Sequence, residues 1–272
     1  MSDPLFDFNG RVAVVTGGLG NLGRTYGGAL ADRGAHVAVI DTLAEAPPHD
    51  QAFRAHLMGG RISVFQADIT DRDALEHAVA GVVSQLGVPH ILVNNAAIDA
   101  PPDAPATENG PFETYPAESL DRIMAVNVKG SVQCCQAIGG RMAREGRGAI
   151  VNISSIYGLL SPVQDIYEFR RRGGEAFYKP VGYSVSKSAV LNLTRYLATY
   201  WARAGVRVNT LTLAGVFDDQ PQEFLQGYCA RMPLGRMARR EEAVGPLLFL
   251  LSDAASYVTG TNLVVDGGWT AW

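Results

Sequence analysis

Short apolar runs alternate with longer mixed stretches along almost the whole chain. Arg11 to Thr16 is a β-branched run that stops at glycines, and its unbroken hydrophobicity predicts a strand buried on both faces. The same pattern places strands at His36 to Ile40, Ile62 to Ala67, His90 to Asn94, Gly148 to Ile153 and Arg207 to Thr212. Between them, helical patterns are expected over 24–33, up to Met58, over 71–86, 118–144, 183–203 and 240–252. Pro47 and Pro48 interrupt the polar stretch 42–60. Residues 99–117 hold many of the prolines and several acids, and they read as a loop because the alternation resumes afterwards. Residues 156–182 read as an irregular stretch and 214–238 as a mobile flap of short helices; Asn262 to Gly268 closes the pattern. No internal repeat or low-complexity tract interrupts this order. It predicts one α/β domain over 1–272, a doubly wound parallel sheet with helices on both faces.

A chain of 272 residues buries a sizeable core without staples. The net charge of −4 argues against a general nucleic-acid partner. Three cysteines, two of them adjacent in a helical context, form no disulfide framework, which points to a reduced, cytoplasmic protein. The first ten residues lack the basic and apolar regions of a secretory signal, and no apolar run reaches the length of a membrane span. The five histidines show no metal-ligand spacing, so no metal is expected.

The chemistry-bearing positions gather at the predicted strand ends. Gly17, Asn21, Leu22 and Gly23 fall in or just after a glycine-rich turn between a strand and a helix, and the next strand ends at Asp41. That is the order a dinucleotide site needs: glycines admit the pyrophosphate to the backbone and a helix N-terminus supplies N–H groups. Asp41 can accept hydrogen bonds from the adenine ribose hydroxyls and would repel a 2′-phosphate, so NAD is expected over NADP. Asp68 and Ile69 follow the third strand, where ligand contacts gather in open parallel sheets, although Asp68 reads equally well as a helix cap. Asn95, Ala96 and Ala97 follow the fourth strand, and their small size lets a cofactor lie close to the backbone. Asn127 interrupts an apolar helical stripe and needs a partner. Tyr183 and Lys187 stand one helical turn apart, and an ammonium beside a phenol favours the phenolate. Such pairs also arise by chance, so the pair gains meaning from its surroundings.

Taken together, Thr16 to Gly23, Asp68 and Ile69, Asn94 to Ala96, Asn127, Ser154 and Ser155, Tyr183 with Lys187, Val208 to Gly215, and Val264 to Gly268 resemble the short-chain dehydrogenase/reductase family over residues 10–268. The resemblance implies a Rossmann fold and a catalytic tetrad of Asn127, Ser155, Tyr183 and Lys187. Tyr183 would be the acid/base, Lys187 would bind the nicotinamide ribose and lower the tyrosine pKa, Ser155 would hydrogen-bond the substrate oxygen, and Asn127 would hold a water. It also implies cofactor contacts at Gly215 and Val216 and assembly as a homotetramer or homodimer.

The chain departs from the family in three places. Asn21 occupies the middle glycine position, where asparagine's tolerance of left-handed angles is expected to preserve binding. Ala214 and the segment Val216 to Asp218 replace the usual proline and threonine. Ser155 and Tyr183 lie 28 positions apart by subtraction of their numbers, which implies an insertion beside the active site. Within it Tyr167, Glu168 and one of Arg170 to Arg172, with Arg170 and Arg171 foremost, are candidate substrate contacts, because arginine binds planar anions and hydroxyls well. The insertion and the closing Trp269 to Trp272 look similar to branches acting on sugars, polyols and sugar acids. A 3-oxoacyl-type or other carbonyl reductase using NAD(P)H is the alternative. A scaffolding relative without chemistry is disfavoured by the intact tetrad.

Overall fold

The computed structural model describes residues 4–47, 50–99 and 106–272. Pro48 and the 100–105 part of the predicted 99–117 loop lie outside these residues. Seven strands form one sheet: β1 (Val12–Thr16), β2 (His36–Asp41), β3 (Ile62–Gln66), β4 (Ile91–Asn94), β5 (Gly148–Ser155), β6 (Val206–Leu213) and β7 (Asn262–Val265). Their order is β3-β2-β1-β4-β5-β6-β7, and every neighbouring pair is parallel. The order reverses between β1 and β4, so a crevice opens beyond their C-terminal ends, the usual ligand position in such sheets. The edge strand β7 is paired to β6 from Asn262 to Val265.

Alternate strand residues feed two cores. Ala13, Val15, Val37, Val39 and Val151 face helix α1 (Asn21–Ala31) and the late helix Val244–Leu251. Val12, Val14, Ala38, Ile40 and Ile150 face the helix Arg72–Leu86, the long helix over 117–145 and the helix Val181–Trp201. Burial on both faces explains why these strands read as continuous apolar runs.

Three boundaries moved for local reasons. Helix α1 starts at Asn21, three residues before the predicted start, directly after the glycine turn with Gly20 as its N-cap. The helix carrying Tyr183 starts at Val181, because Pro180 fixes an extended N-cap and has no N–H of its own to pair. The long helix contains two π turns, Ala125–Gly130 and Cys135–Gly139.

The expected flap packs into a third core. Ile156, Tyr157, Ile166, Tyr167 and Phe177 from the insertion meet Tyr228, Met232 and Met237 from the flap and Trp269 from the C-terminal segment. The Tyr228 and Trp269 rings pack at a tilt of 31° with centroids 4.5 Å apart. Burying side chains of this size stabilises by roughly 1.5–3 kcal/mol each at most. The segment is therefore a wall of the molecule.

Candidate active site

The cofactor half of the crevice begins at the turn after β1. Gly17 has φ +60°, and an added Cβ would stand 2.7 Å from the Cα of Ala96, so both geometry and space demand glycine there. Asn95 ties this turn to β4: its side-chain amide donates to Thr16 O and Gly17 O, both at 3.1 Å. Gly23 does not line the crevice as expected. It sits beneath the turn, where an added Cβ would lie 2.2 Å from Gly17 O, and it serves close packing of α1 on the turn. Asn21 also differs from expectation. It is the first helical residue, and Asp219 is the non-glycine residue with positive φ among those described, so a left-handed backbone is not what position 21 asks for. Instead the Asn21 amide donates to the Asp218 carboxylate at 3.1 Å, bridging the turn and the flap.

Asp41 ends β2 with its carboxylate fixed by two backbone donors, Leu19 N–H at 3.0 Å and Leu43 N–H at 3.1 Å. Asp68 accepts from the Thr70 N–H and hydroxyl, both at 2.8 Å. Gly17, Asn21, Leu22, Asp41, Asp68, Ile69, Asn95, Ala96 and Ala97 line a groove of about 590 Å³. Leu22, Asn95 and Ala97 also line a second cavity of about 430 Å³ that holds Ser155, Tyr183, Lys187, Gly215 and Val216. The two form one elongated cleft. Its glycine-floored turn, helix N-terminus and terminal carboxylate fit a dinucleotide.

The second cavity collects Ser155, Tyr183 and Lys187 of the predicted tetrad from two elements, and Asn127 lies outside its lining. Ser155 is the last residue of β5, and its hydroxyl accepts from Tyr157 N–H at 3.2 Å. Tyr183 and Lys187 occupy the first two turns of their helix, with the Lys187 ammonium 5.6 Å from the tyrosine ring centroid and donating to Ile153 O at 3.0 Å. Asn127, on the π turn, is buried. Its carbonyl accepts from Ile98 N–H at 2.8 Å, and its amide donates to Ile98 O and the Ser186 hydroxyl, both at 2.9 Å. Ser186 in turn donates to Tyr183 O at 2.7 Å. Both Asn127 N–H groups are thus used within the protein, and its bonds are those of a brace between the segment after β4 and the Tyr183 helix.

The electrostatics correct the expected phenolate. Burial raises the Tyr183 pKa, the Asp99 charge raises it further, and a hydrogen bond with Ser155 works against both. Burial lowers the Lys187 pKa to about 8, with Asp99 opposing. Desolvation penalises either charge, so burial shifts both groups toward their neutral forms, although Lys187 keeps its proton below about pH 8.

Tyr167 lines the catalytic cavity. Arg170 and Arg171 do not, and their assignment to the substrate is corrected by their partners. Arg170 stacks on the Phe177 ring at 3.7 Å and pairs with Glu175. Arg171 donates to Phe177 O and Gln164 O, at 2.9 and 3.0 Å, and pairs with Glu168. These guanidinium groups staple the insertion to itself. Sequence reasoning missed Lys179, Tyr157, Phe224 and Tyr228 in the same cavity. The Tyr228 hydroxyl accepts from Gly215 N–H at 2.6 Å and so fixes the strand end beside the site.

A family model described as enoyl-(acyl carrier protein) reductase matches residues 19–270. Gluconate 5-dehydrogenase from Gluconobacter oxydans is 36% identical, covering 99% of both chains. D-threitol dehydrogenase from Mycolicibacterium smegmatis is 32% identical over 97% of this chain and 95% of that one. The crystal structure of a short-chain dehydrogenase from Leptospira borgpetersenii with bound NAD+ superposes with a TM-score of 0.85 at 31% identity, covering 99% and 96% of the two chains.

Proposed function

The chain belongs to the short-chain dehydrogenase/reductase family, and on that premise we propose that it uses NAD to oxidise a secondary alcohol of a sugar, polyol or sugar acid. It is an NAD(P)-dependent oxidoreductase that moves a hydride between a nicotinamide and a CH–OH carbon. The observation that carries the finer reading is the meeting of Ser155, Tyr183 and Lys187 at one end of a cleft whose other end holds Asp41.

When bound, the nicotinamide supplies the hydride acceptor and, in its oxidised form, a positive charge. Ser155 hydrogen-bonds the substrate oxygen. Tyr183 takes the hydroxyl proton as the carbinol hydride leaves, so the alcohol becomes a carbonyl; in reverse the phenol returns that proton. Lys187 would hold ribose hydroxyls, and its ammonium lies near the phenol ring. Burial keeps Tyr183 in its acid form, which suits carbonyl reduction; for oxidation the phenol must first give its proton to solvent, a loss that a cationic nicotinamide would favour when bound. Asp41, with both oxygens fixed by backbone donors, favours NAD because a 2′-phosphate would meet a carboxylate.

Initial rates of NADH formation with alditols, aldoses and aldonates test this reading. Tyr183→Phe should cut turnover by at least about 100-fold while NADH affinity stays nearly unchanged. Retention of most activity would remove Tyr183 from its role. A reductase of acyl thioesters is the second reading, favoured by the description of the matching family model; faster turnover of a 3-oxoacyl thioester than of any sugar would select it. We also place the chain in a homotetramer or homodimer, supported by Val185, Tyr196 and Tyr200 exposed on the Val181–Trp201 helix. A reduced cytoplasmic setting is supported by the free, buried Cys134 and Cys135; no described helix is long and apolar enough to cross a membrane.

A further inference from the structure

We propose that Lys179 is the anchor for a carboxylate on the substrate, so that this site is built for sugar acids over neutral polyols. The inference rests on the functional reading above and narrows it. Among the described residues lining the catalytic cavity, the charged side chains are Asp99, Lys179 and Lys187. Lys187 lies beside Tyr183 and gives its ammonium to Ile153 O. Lys179 approaches the same ring, with Nζ 5.3 Å from the Tyr183 centroid. It is therefore placed to hold one end of a molecule whose carbinol faces Tyr183.

The backbone of Lys179 is fixed from the insertion. The Gln164 carboxamide accepts from Lys179 N–H at 2.8 Å and donates to Lys179 O at 3.2 Å. Gln164 is held in turn by Arg171, whose guanidinium binds its carbonyl at 3.0 Å. The extra chain between Ser155 and Tyr183 thus fixes the backbone from which this ammonium reaches the cavity. Pro180 follows immediately and starts the Tyr183 helix, so the distance from the ammonium to the phenol is set by short, constrained chain.

The present partner of Lys179 shows what the ammonium accepts. Asp99 forms an ion pair with it; the lysine side chain is 13% exposed and the aspartate 54%. A half-open carboxylate paired to a nearly buried cation is exchangeable, because Asp99 regains water when it turns outward and Lys179 does not. A substrate carboxylate reproduces the pair charge for charge. A phosphate dianion would leave one charge unmatched and would repel the displaced Asp99 more strongly than a carboxylate does. Tyr157, Tyr167 and Phe224 line the same cavity and give the sugar carbon chain an aromatic surface.

The test compares an aldonate with the alditol of the same carbon skeleton, gluconate with glucitol, and adds a sugar phosphate as a third arm. In the parent enzyme kcat/KM should be highest for the aldonate. Lys179→Met should lower the aldonate-to-alditol ratio by about 30-fold, the loss expected of one charge-assisted contact, and Lys179→Arg should restore most of it. Binding of gluconate to the enzyme–NADH complex, followed by NADH fluorescence, should weaken by a similar factor and decides the point without turnover. An unchanged ratio with unchanged gluconate binding in Lys179→Met overturns the proposal, as does a parent enzyme that prefers glucitol or the phosphate. Absence of NADH formation from every alcohol would instead overturn the dehydrogenase reading, which the binding measurement keeps separate.

Discussion

Replacing Lys187 by methionine measures what an ammonium costs at the centre of this fold. Lys187 is 5% exposed, and burial lowers its pKa from 10.5 to about 8. Below about pH 8 the folded and unfolded chains both hold the proton, so the folded state bears the whole desolvation cost. From about pH 8 to about 10.5 the folded chain releases the proton while the unfolded chain keeps it. The unfolded state then binds more protons, and stability rises with pH. The separation of the two pKa values bounds the gain at roughly 3 kcal/mol, and relaxation around the ammonium reduces it to about 1–3 kcal/mol. Buried tyrosines work in the opposite sense. Tyr26, Tyr157, Tyr183 and Tyr228 are held protonated by burial, so stability falls once the unfolded phenols ionise near pH 10. Both proteins keep these tyrosines, and comparing the two largely cancels their contribution. Urea unfolding of the parent and of Lys187→Met is therefore run in parallel from about pH 7 to about pH 10. The variant's stability relative to the parent should be highest at the low end and should decline by about 1–3 kcal/mol across the range. A difference that stays flat with pH would mean that Lys187 is not desolvated in the free enzyme.

Three further outcomes follow from particular contacts. Asp41→Ala should narrow the preference for NAD over NADP, expected to be at least about tenfold in the parent, or roughly 1.4 kcal/mol; steady-state KM values with both cofactors check this. Gly23→Ala should weaken NADH binding and lower the melting temperature, although alanine is the better helix former by about 1 kcal/mol, because its Cβ would lie 2.2 Å from Gly17 O. Tyr228→Phe should destabilise the protein by about 1–3 kcal/mol, since the Gly215 N–H loses its acceptor, and it should raise the substrate KM more than the NADH dissociation constant.

The cofactor half was legible in the sequence because its signals are local. The glycine turn, the apolar run before it and the acid at the end of the next strand all lie within one βαβ unit. Tyr183 and Lys187 were legible for the same reason, since one helical turn joins them. The substrate half was not. The run from Arg170 to Arg172 suggested an anion site, yet Glu168 and Glu175 in the same segment already pair with it, and those acids were visible in the sequence. Lys179 left no such signal: its partner Asp99 is 80 positions away, and Gln164 reaches it only through the folded insertion. The phenol's pKa was misjudged because spacing reveals the neighbouring cation but not the desolvation around both groups.

The third core has a mechanistic consequence. Tyr167 and Tyr228 belong to the packed wall and also line the catalytic cavity, while Trp269 supports Tyr228 from behind. A close-packed wall transmits a change of shape instead of absorbing it. Substitutions in this cluster should therefore alter specificity together with stability, whereas substitutions in the two cores that flank the sheet should alter stability first. The junction is Gly215: its N–H binds Tyr228 at 2.6 Å, and an added Cβ would stand 2.6 Å from Met237 and 2.9 Å from the Tyr228 hydroxyl. Gly215 lines the catalytic cavity beside Val216 at the end of β6. Movement of the wall thus reaches the cavity that holds Ser155, Tyr183 and Lys187 through one backbone amide.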